Sequence, residues 1–156
     1  MRRRVSDIGR GGAPTPPTPL RRGGPQGILF VCLGNAIRSQ MAEAFARKYG
    51  SDVIAPASAG LTPAAVVAPL TLKVMKDRGL DLTSHFPKAI LEAPGSPWDQ
   101  IVNISGERLP PFPNSRIRTW EVADPVGGPE QAFVETADKI EGLIMQLILD
   151  LRSGRG

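Results

Sequence analysis

Short, unbroken apolar runs alternate along the chain with longer stretches whose apolar positions recur every three or four residues. Ile28-Leu29-Phe30-Val31 is the clearest run, and Cys32 follows it directly. A run this short with no polar alternation predicts a strand buried on both faces, as in a parallel sheet. From Ser39 to Tyr49 the period changes. Ala42, Phe45 and Tyr49 share one helical face, and Gly50 is expected to end this helix as a glycine just past its last turn. Asp52–Ala57 predicts a second strand, Pro69–Arg78 a second helix stopped by Gly79, and Asp99–Ile104 a third strand.

Glu92–Pro97 reads as loop, and Pro110, Pro111 and Pro113 mark irregular chain. Arg116–Trp120 alternates as a fourth strand, with Trp120 read as a packing residue. Pro129 suits the first turn of a final helix. That helix runs to about Arg152 on a stripe of Phe133, Ala137, Ile140, Ile144, Leu147 and Leu151. Strands alternating with helices imply β–α–β crossovers and a parallel α/β sheet with helices on both faces. Ligand sites in such sheets lie beyond the carboxyl ends of the strands. Cys32 stands at such an end, and Asp124 follows another.

Charge divides the chain. The net charge is +4, but residues 1–26 hold six arginines and a single acid, Asp7. The remainder is therefore close to neutral, and a single domain is expected over residues 27–152. The leader, rich in Arg, Gly, Pro and Thr, has almost nothing to bury and is expected to be disordered. It is either a solvated tail or a basic arm for anionic surfaces. It lacks interleaved aromatics, so no specific nucleic-acid partner is expected. No apolar run approaches the ~18 residues of a membrane span, and the arginines lead into no apolar signal region. One cysteine and one histidine exclude an internal disulfide and the usual zinc sites. No metal or cofactor is expected. A single reactive thiol fits a reducing, cytoplasmic setting. The lone His85 reads as a surface or packing residue, with no second histidine to form a relay.

Candidate chemistry concentrates in Cys32-Leu33-Gly34-Asn35-Ala36-Ile37-Arg38-Ser39. A loop between strand and helix can turn successive N–H groups inward as an anion-binding nest, and the helix N-terminus adds partial positive charge. Gly34 and Asn35 tolerate the backbone angles that a nest needs. Arg38 can grip two oxygens of a tetrahedral anion with its planar fork. The same field favours thiolate over thiol, and a thiolate under a bound oxyanion is a nucleophile. A lone cysteine after an apolar run is by itself more often a small buried hydrophobe.

The run Val31–Ser39 resembles the C-x5-R loop of the low-molecular-weight protein tyrosine phosphatases. The continuation Arg38-Ser39-Gln40-Met41-Ala42-Glu43-Ala44-Phe45 is more similar still to the arsenate reductases that share that fold. The resemblance covers residues 27–152. It implies a four-stranded parallel sheet flanked by helices in a three-layer sandwich. It also implies oxyanion binding by the loop from Leu33 through Gly34, Asn35, Ala36 and Ile37 to Arg38. Asn35, Ser39 and Ser58 match supporting positions, with the Ser58 hydroxyl expected to hydrogen-bond into the loop. Asp124-Pro125 matches the family's general-acid loop before the last helix.

Two activities follow from the resemblance. One is hydrolysis of a phosphorylated protein or small phosphomonoester, with a phosphocysteine on Cys32 and Asp124 as general acid and base. The other is reduction of arsenate with an external thiol donor. Thioredoxin-coupled arsenate reductases carry two further cysteines near the places of Ser105 and Leu109, and this chain has neither. A non-catalytic oxyanion-binding module is the third reading. The phosphotyrosine enzymes line their cleft with aromatics. Here Val126-Gly127-Gly128 follows Asp124-Pro125, and Leu61-Thr62-Pro63-Ala64-Ala65 follows Gly60.

Overall fold

A computed structural model of the chain describes residues 24–156. Up to position 23 the expected leader lies outside the described residues, and Gln26 already belongs to the first strand. The elements in order are β1 (Gln26–Cys32), α1 (Arg38–Gly50), β2 (Ile54–Gly60), α2 (Pro69–Asp77), a 3₁₀ turn (Ile90–Glu92), β3 (Gln100–Asn103), β4 (Arg116–Thr119) and α3 (Glu130–Arg152). The four strands form one sheet in the order β2-β1-β3-β4, and every neighbouring pair is parallel.

Parallel pairing puts all strand ends of one polarity at one edge. Cys32 pairs with Gly60, Val31 with Asn103, and Asn103 with Thr119. The C-terminal residue of each strand therefore borders the same region, and the Cys32 loop leaves from its middle. The unbroken run Ile28–Val31 is fully buried, because β1 is flanked by strands on both edges and covered on both faces. Its side chains alternate between two clusters. Ile28 and Phe30 pack with α1, α2 and α3, where Phe45, Met75, Ile140 and Ile144 are buried. Leu29 and Val31 pack with Ala57, Ala59, Trp98 and Ile101, closed by Ile90, Leu109 and Phe112. The helical cover is unequal. One face takes the three α-helices, and the other is closed by the 3₁₀ turn and irregular chain.

Three local expectations change. β2 continues through Ser58-Ala59-Gly60, which pair with Phe30-Val31-Cys32. Partner strands override the weak strand propensity of these small residues. Pro129 caps α3 from outside, and the helix begins at Glu130. Gly50 is the last residue of α1 rather than a left-handed residue beyond it, and Ser51 forms the C-cap with φ −62°. Its lack of a side chain serves packing. A Cβ there would lie 2.6 Å from both Cγ1 and Cδ1 of Ile148 on α3. Trp120 packs as expected, 9% exposed, with its ring centroid 5.9 Å from that of Phe30.

Two glycines in helices should respond oppositely to alanine. Gly50→Ala overpacks the α1–α3 contact and is expected to lower stability by about 1–3 kcal/mol. In α3, a Cβ on Gly142 meets nothing within 4 Å. Gly142→Ala is therefore expected to raise stability by about 0.5–1 kcal/mol through helix propensity. Urea unfolding midpoints of the two variants, measured against the parent chain, check both signs.

Candidate active site

The loop from Cys32 to Ile37 is held by its carbonyls. Those of Cys32, Leu33, Gly34 and Ala36 accept from the N–H groups of Leu61 (3.1 Å), Thr62 (2.8 Å), Ala64 (2.9 Å) and Ala68 (3.1 Å). The Asn35 carbonyl accepts from Gln40 Nε2 at 3.1 Å. In a trans peptide the carbonyl and the next N–H point in opposite directions. Carbonyls bonded outward thus turn the N–H groups of Leu33, Gly34, Asn35, Ala36 and Ile37 inward. The Asn35 N–H shows that direction, donating to Cys32 Sγ at 3.2 Å. Asn35 adopts φ +52°, the only positive φ among the described non-glycine residues. Asparagine tolerates this left-handed conformation better than most residues.

Gly60 lets the loop lie this close to β2. A Cβ there would sit 2.8 Å from both the Asn35 nitrogen and the Leu33 oxygen. Those are backbone atoms of the loop itself, which cannot rotate aside. Beside it, Ser58 does not reach the loop. Its buried hydroxyl donates to Glu43 Oε1 at 2.5 Å, and Glu43 Oε2 pairs with Arg47 at 2.9 Å. The expected Ser58 bond into the loop is corrected to a bond with α1. The reason is direction: Ser58 stands two residues before the strand end and faces the buried carboxylate of α1.

Ser39 and Asn35 meet the thiol directly. Cys32 Sγ lies 2.9 Å from Ser39 Oγ, which accepts from Asn35 Nδ2 at 2.7 Å and stands 3.4 Å from the Ala59 carbonyl. Cys32 itself is only 2% exposed. Arg38 opens α1 and is 5% exposed. A buried guanidinium needs full hydrogen bonding. Its Nη1 donates to the Ile104 carbonyl (2.8 Å) and the Val122 carbonyl (3.0 Å), just past β3 and β4. Nη2 reaches Asp124 Oδ2 at 3.2 Å. Asp124 Oδ1 accepts from the Val126 N–H at 3.1 Å, folding Asp124-Pro125-Val126 into a turn. Arg38 and Asp124, 86 positions apart, are thus paired at the far end of the loop that Cys32 opens.

A further polar layer lies behind the loop, and sequence reading missed it. Gln40 is fully buried, and its Nε2 donates to carbonyl oxygens of Asn35 and Phe86. Its Oε1 therefore faces His85 Nδ1 at 2.9 Å, which must be the protonated ring nitrogen. Burial holds the His85 imidazole below its ordinary value, against the pull of Glu43. His85 packs behind the loop and orients Gln40. Nothing in the residue types flagged Gln40 or the backbone of Leu61–Ala68 in advance, since their role is to bond loop carbonyls.

The arrangement can hold a tetrahedral anion against converging N–H groups and one guanidinium, over a sulfur nucleophile, with a carboxyl group at the rim. Gly60→Ala pushes on the loop backbone. It is expected to weaken inorganic phosphate binding roughly tenfold to a hundredfold, with far-UV circular dichroism unchanged. Isothermal titration with phosphate gives the affinity.

Comparison with known proteins gives the family and the fold. The sequence from Synechocystis named glutaredoxin arsenate reductase is 29% identical over 128 residues, covering 77% of this chain and 97% of the relative. Arsenate reductase 2 of Staphylococcus haemolyticus is 32% identical over 123 residues, covering 75% and 92%. A solved arsenate reductase in a phosphate-binding state superposes with a TM-score of 0.74 at 28% identity, over 81% of this chain and 98% of that one. The model of the family described as low molecular weight phosphotyrosine protein phosphatase matches residues 27–155, which take in the loop, all three helices and all of the sheet but Gln26, and the chain belongs to that family.

Proposed function

We propose that this protein is a cysteine-dependent oxyanion enzyme that reduces arsenate with electrons from an external thiol. The observation that carries this reading is the character of the two segments framing the loop. Leu61-Thr62-Pro63-Ala64-Ala65 and Val126-Gly127-Gly128 hold only aliphatic, small or hydroxyl side chains. They suit a compact tetrahedral anion and provide no ring to stack on an aryl phosphate. The likeness to arsenate reductases over nearly their whole length supports the same choice.

In this reading the Cys32 thiolate attacks arsenic, forming an S–As bond. Arg38 and the loop N–H groups hold the remaining oxygens. One arsenate oxygen leaves as water, with the proton supplied by Asp124. The sequence has a single cysteine, so no internal thiol can resolve this adduct. The hydroxyl of Ser105 is bonded to Asn103 Oδ1 at 2.6 Å and offers no redox chemistry. An external thiolate therefore attacks the Cys32 sulfur. The S–As bond breaks with its electron pair going to arsenic, arsenite departs, and Cys32 is left in a mixed disulfide. A second external thiol restores Cys32 and releases the donor as a disulfide. Arsenate and two thiols thus give arsenite, one disulfide and water.

Phosphomonoester hydrolysis is the second reading. It is favoured by the Asp124 carboxyl, which reaches Arg38 at 3.2 Å and in this reading protonates the leaving alkoxide. Here Asp124 would also activate the water that cleaves the phosphocysteine.

The test runs both reactions on the same reduced protein. Arsenite formation is measured with glutathione plus glutaredoxin and with thioredoxin plus its reductase. Aryl phosphate hydrolysis is measured in parallel. Thiol-dependent arsenite formation is expected, falling to the uncatalysed rate in Cys32→Ser. Hydrolysis of aryl phosphate with no arsenite from any donor would reverse the ranking. In that case Asp124→Asn should reduce hydrolysis by about 10²–10⁴-fold.

A further inference from the structure

The half-buried ammonium of Lys88 spends its hydrogen bonds on amide oxygens. Its Nζ lies 3.2 Å from the Phe86 carbonyl and 3.5 Å from Asn35 Oδ1, and 5.2 Å from the centroid of the Phe86 ring. Among the described residues no carboxylate comes within ion-pair distance of it. A charge taken partly out of water without a direct ion pair is costly, so its position calls for a function.

We propose that Lys88 is a positioning residue for the Cys32 thiolate, orienting and polarising the Asn35 carboxamide so that a chain of donors runs through Asn35 and Ser39 to the sulfur. The inference deepens the oxyanion-enzyme reading and rests on Cys32 being its nucleophile. Asn35 Oδ1 accepts from the Lys88 N–H at 2.9 Å and from Gln40 Nε2 at 3.2 Å, with the ammonium beyond. Three donors on one oxygen fix the amide with its nitrogen toward Ser39. Nδ2 then donates to Ser39 Oγ at 2.7 Å. With that lone pair occupied, the single Ser39 hydrogen has two acceptors. These are Cys32 Sγ at 2.9 Å and the Ala59 carbonyl at 3.4 Å. A thiolate is an acceptor only, so the hydroxyl turns to sulfur when Cys32 ionises. Each bond in the chain is strengthened by the one behind it, and the ammonium is the head of the chain.

The main chain of Lys88 is fastened separately. Its carbonyl accepts from the Gly60 N–H at 2.9 Å, and Ala89 bridges to Gly60 as a short extension of the sheet. Side-chain substitution therefore removes the charge and leaves the backbone contact to Asn35 in place. The charges facing Lys88 are Glu43 and Arg47 on α1 and Glu92 on the 3₁₀ turn. Burial lowers its affinity for the proton, Glu43 and Glu92 oppose this, and Arg47 adds to it. The support therefore weakens as pH rises, and does so at a lower pH than for an exposed lysine.

Cys32 is the chain's only thiol, so its alkylation by iodoacetamide is an unambiguous readout that needs neither arsenate nor phosphate turnover. It reads this inference even if both proposed reactions fail. Lys88→Met is expected to slow alkylation by about fivefold or more near pH 6.5, with the rate restored near pH 9, where the thiol ionises unaided. Lys88→Arg should stay close to the parent rate. Lys88→Gln keeps a neutral donor and serves if the methionine variant does not fold. It is expected to slow alkylation as Lys88→Met does. Parent-like rates near pH 6.5 in the neutral variants overturn the proposal. So does an equal loss at both pH values, which would report altered access rather than a less stable thiolate.

Discussion

A rigid peptide plane has two ends, and this site uses the outer one to control the inner one. Every loop carbonyl from Cys32 to Ala36 has a donor outside the loop, from Leu61–Ala68 or from Gln40. Each such bond commits the following N–H to the interior. The anion-binding surface is therefore a by-product of hydrogen bonding on its reverse side. Releasing the outer partners would leave the loop sequence intact and the nest undone. Gly60 belongs to the same constraint, because the two strands of peptide can approach only where no Cβ separates them.

The sheet supplies the rest. Parallel strands end together, so carbonyls just past β3 and β4 converge on the first residue of α1. Arg38 is charged, nearly buried, and satisfied by main-chain oxygens and one carboxylate. Its fork is thereby aimed before any anion arrives, which reduces the ordering cost of binding. Asp124 reaches the site through that same guanidinium. The polar start of α1 is consequently as buried as its apolar face: Arg38, Ser39, Gln40 and Glu43 are all shielded from solvent. A helix with this much buried polarity is stable only because each polar group has a named partner.

The proposed redox cycle turns on scarcity. In that cycle a single thiol forms the arsenic adduct and cannot resolve it alone, so the second half belongs to another molecule. The two segments taken in the proposed function to limit the substrate, 61–65 and 126–128, also carry structural duties. One bonds the loop carbonyls, and the other turns Asp124 toward Arg38. Small side chains in both are compatible with those duties and with a small substrate.

The four strands, the three helices and the candidate trio Cys32, Arg38 and Asp124 were legible in the sequence. Apolar periodicity is a local property, and a cysteine six positions before an arginine between strand and helix is a local motif. What the sequence could not specify was any contact made by a residue without chemistry of its own. Gly50 looked like a helix stop and proved to be room for Ile148. Ser58 looked like the loop's brace and proved to be a partner of Glu43, while Gly60 beside it made the loop's close approach possible. The residue types of Lys88, Gln40 and His85 pointed to none of their contacts. Their roles depend on which backbone oxygen or nitrogen lies within about 3 Å, and for residues dozens of positions apart that distance is decided only when the sheet and the helices pack together.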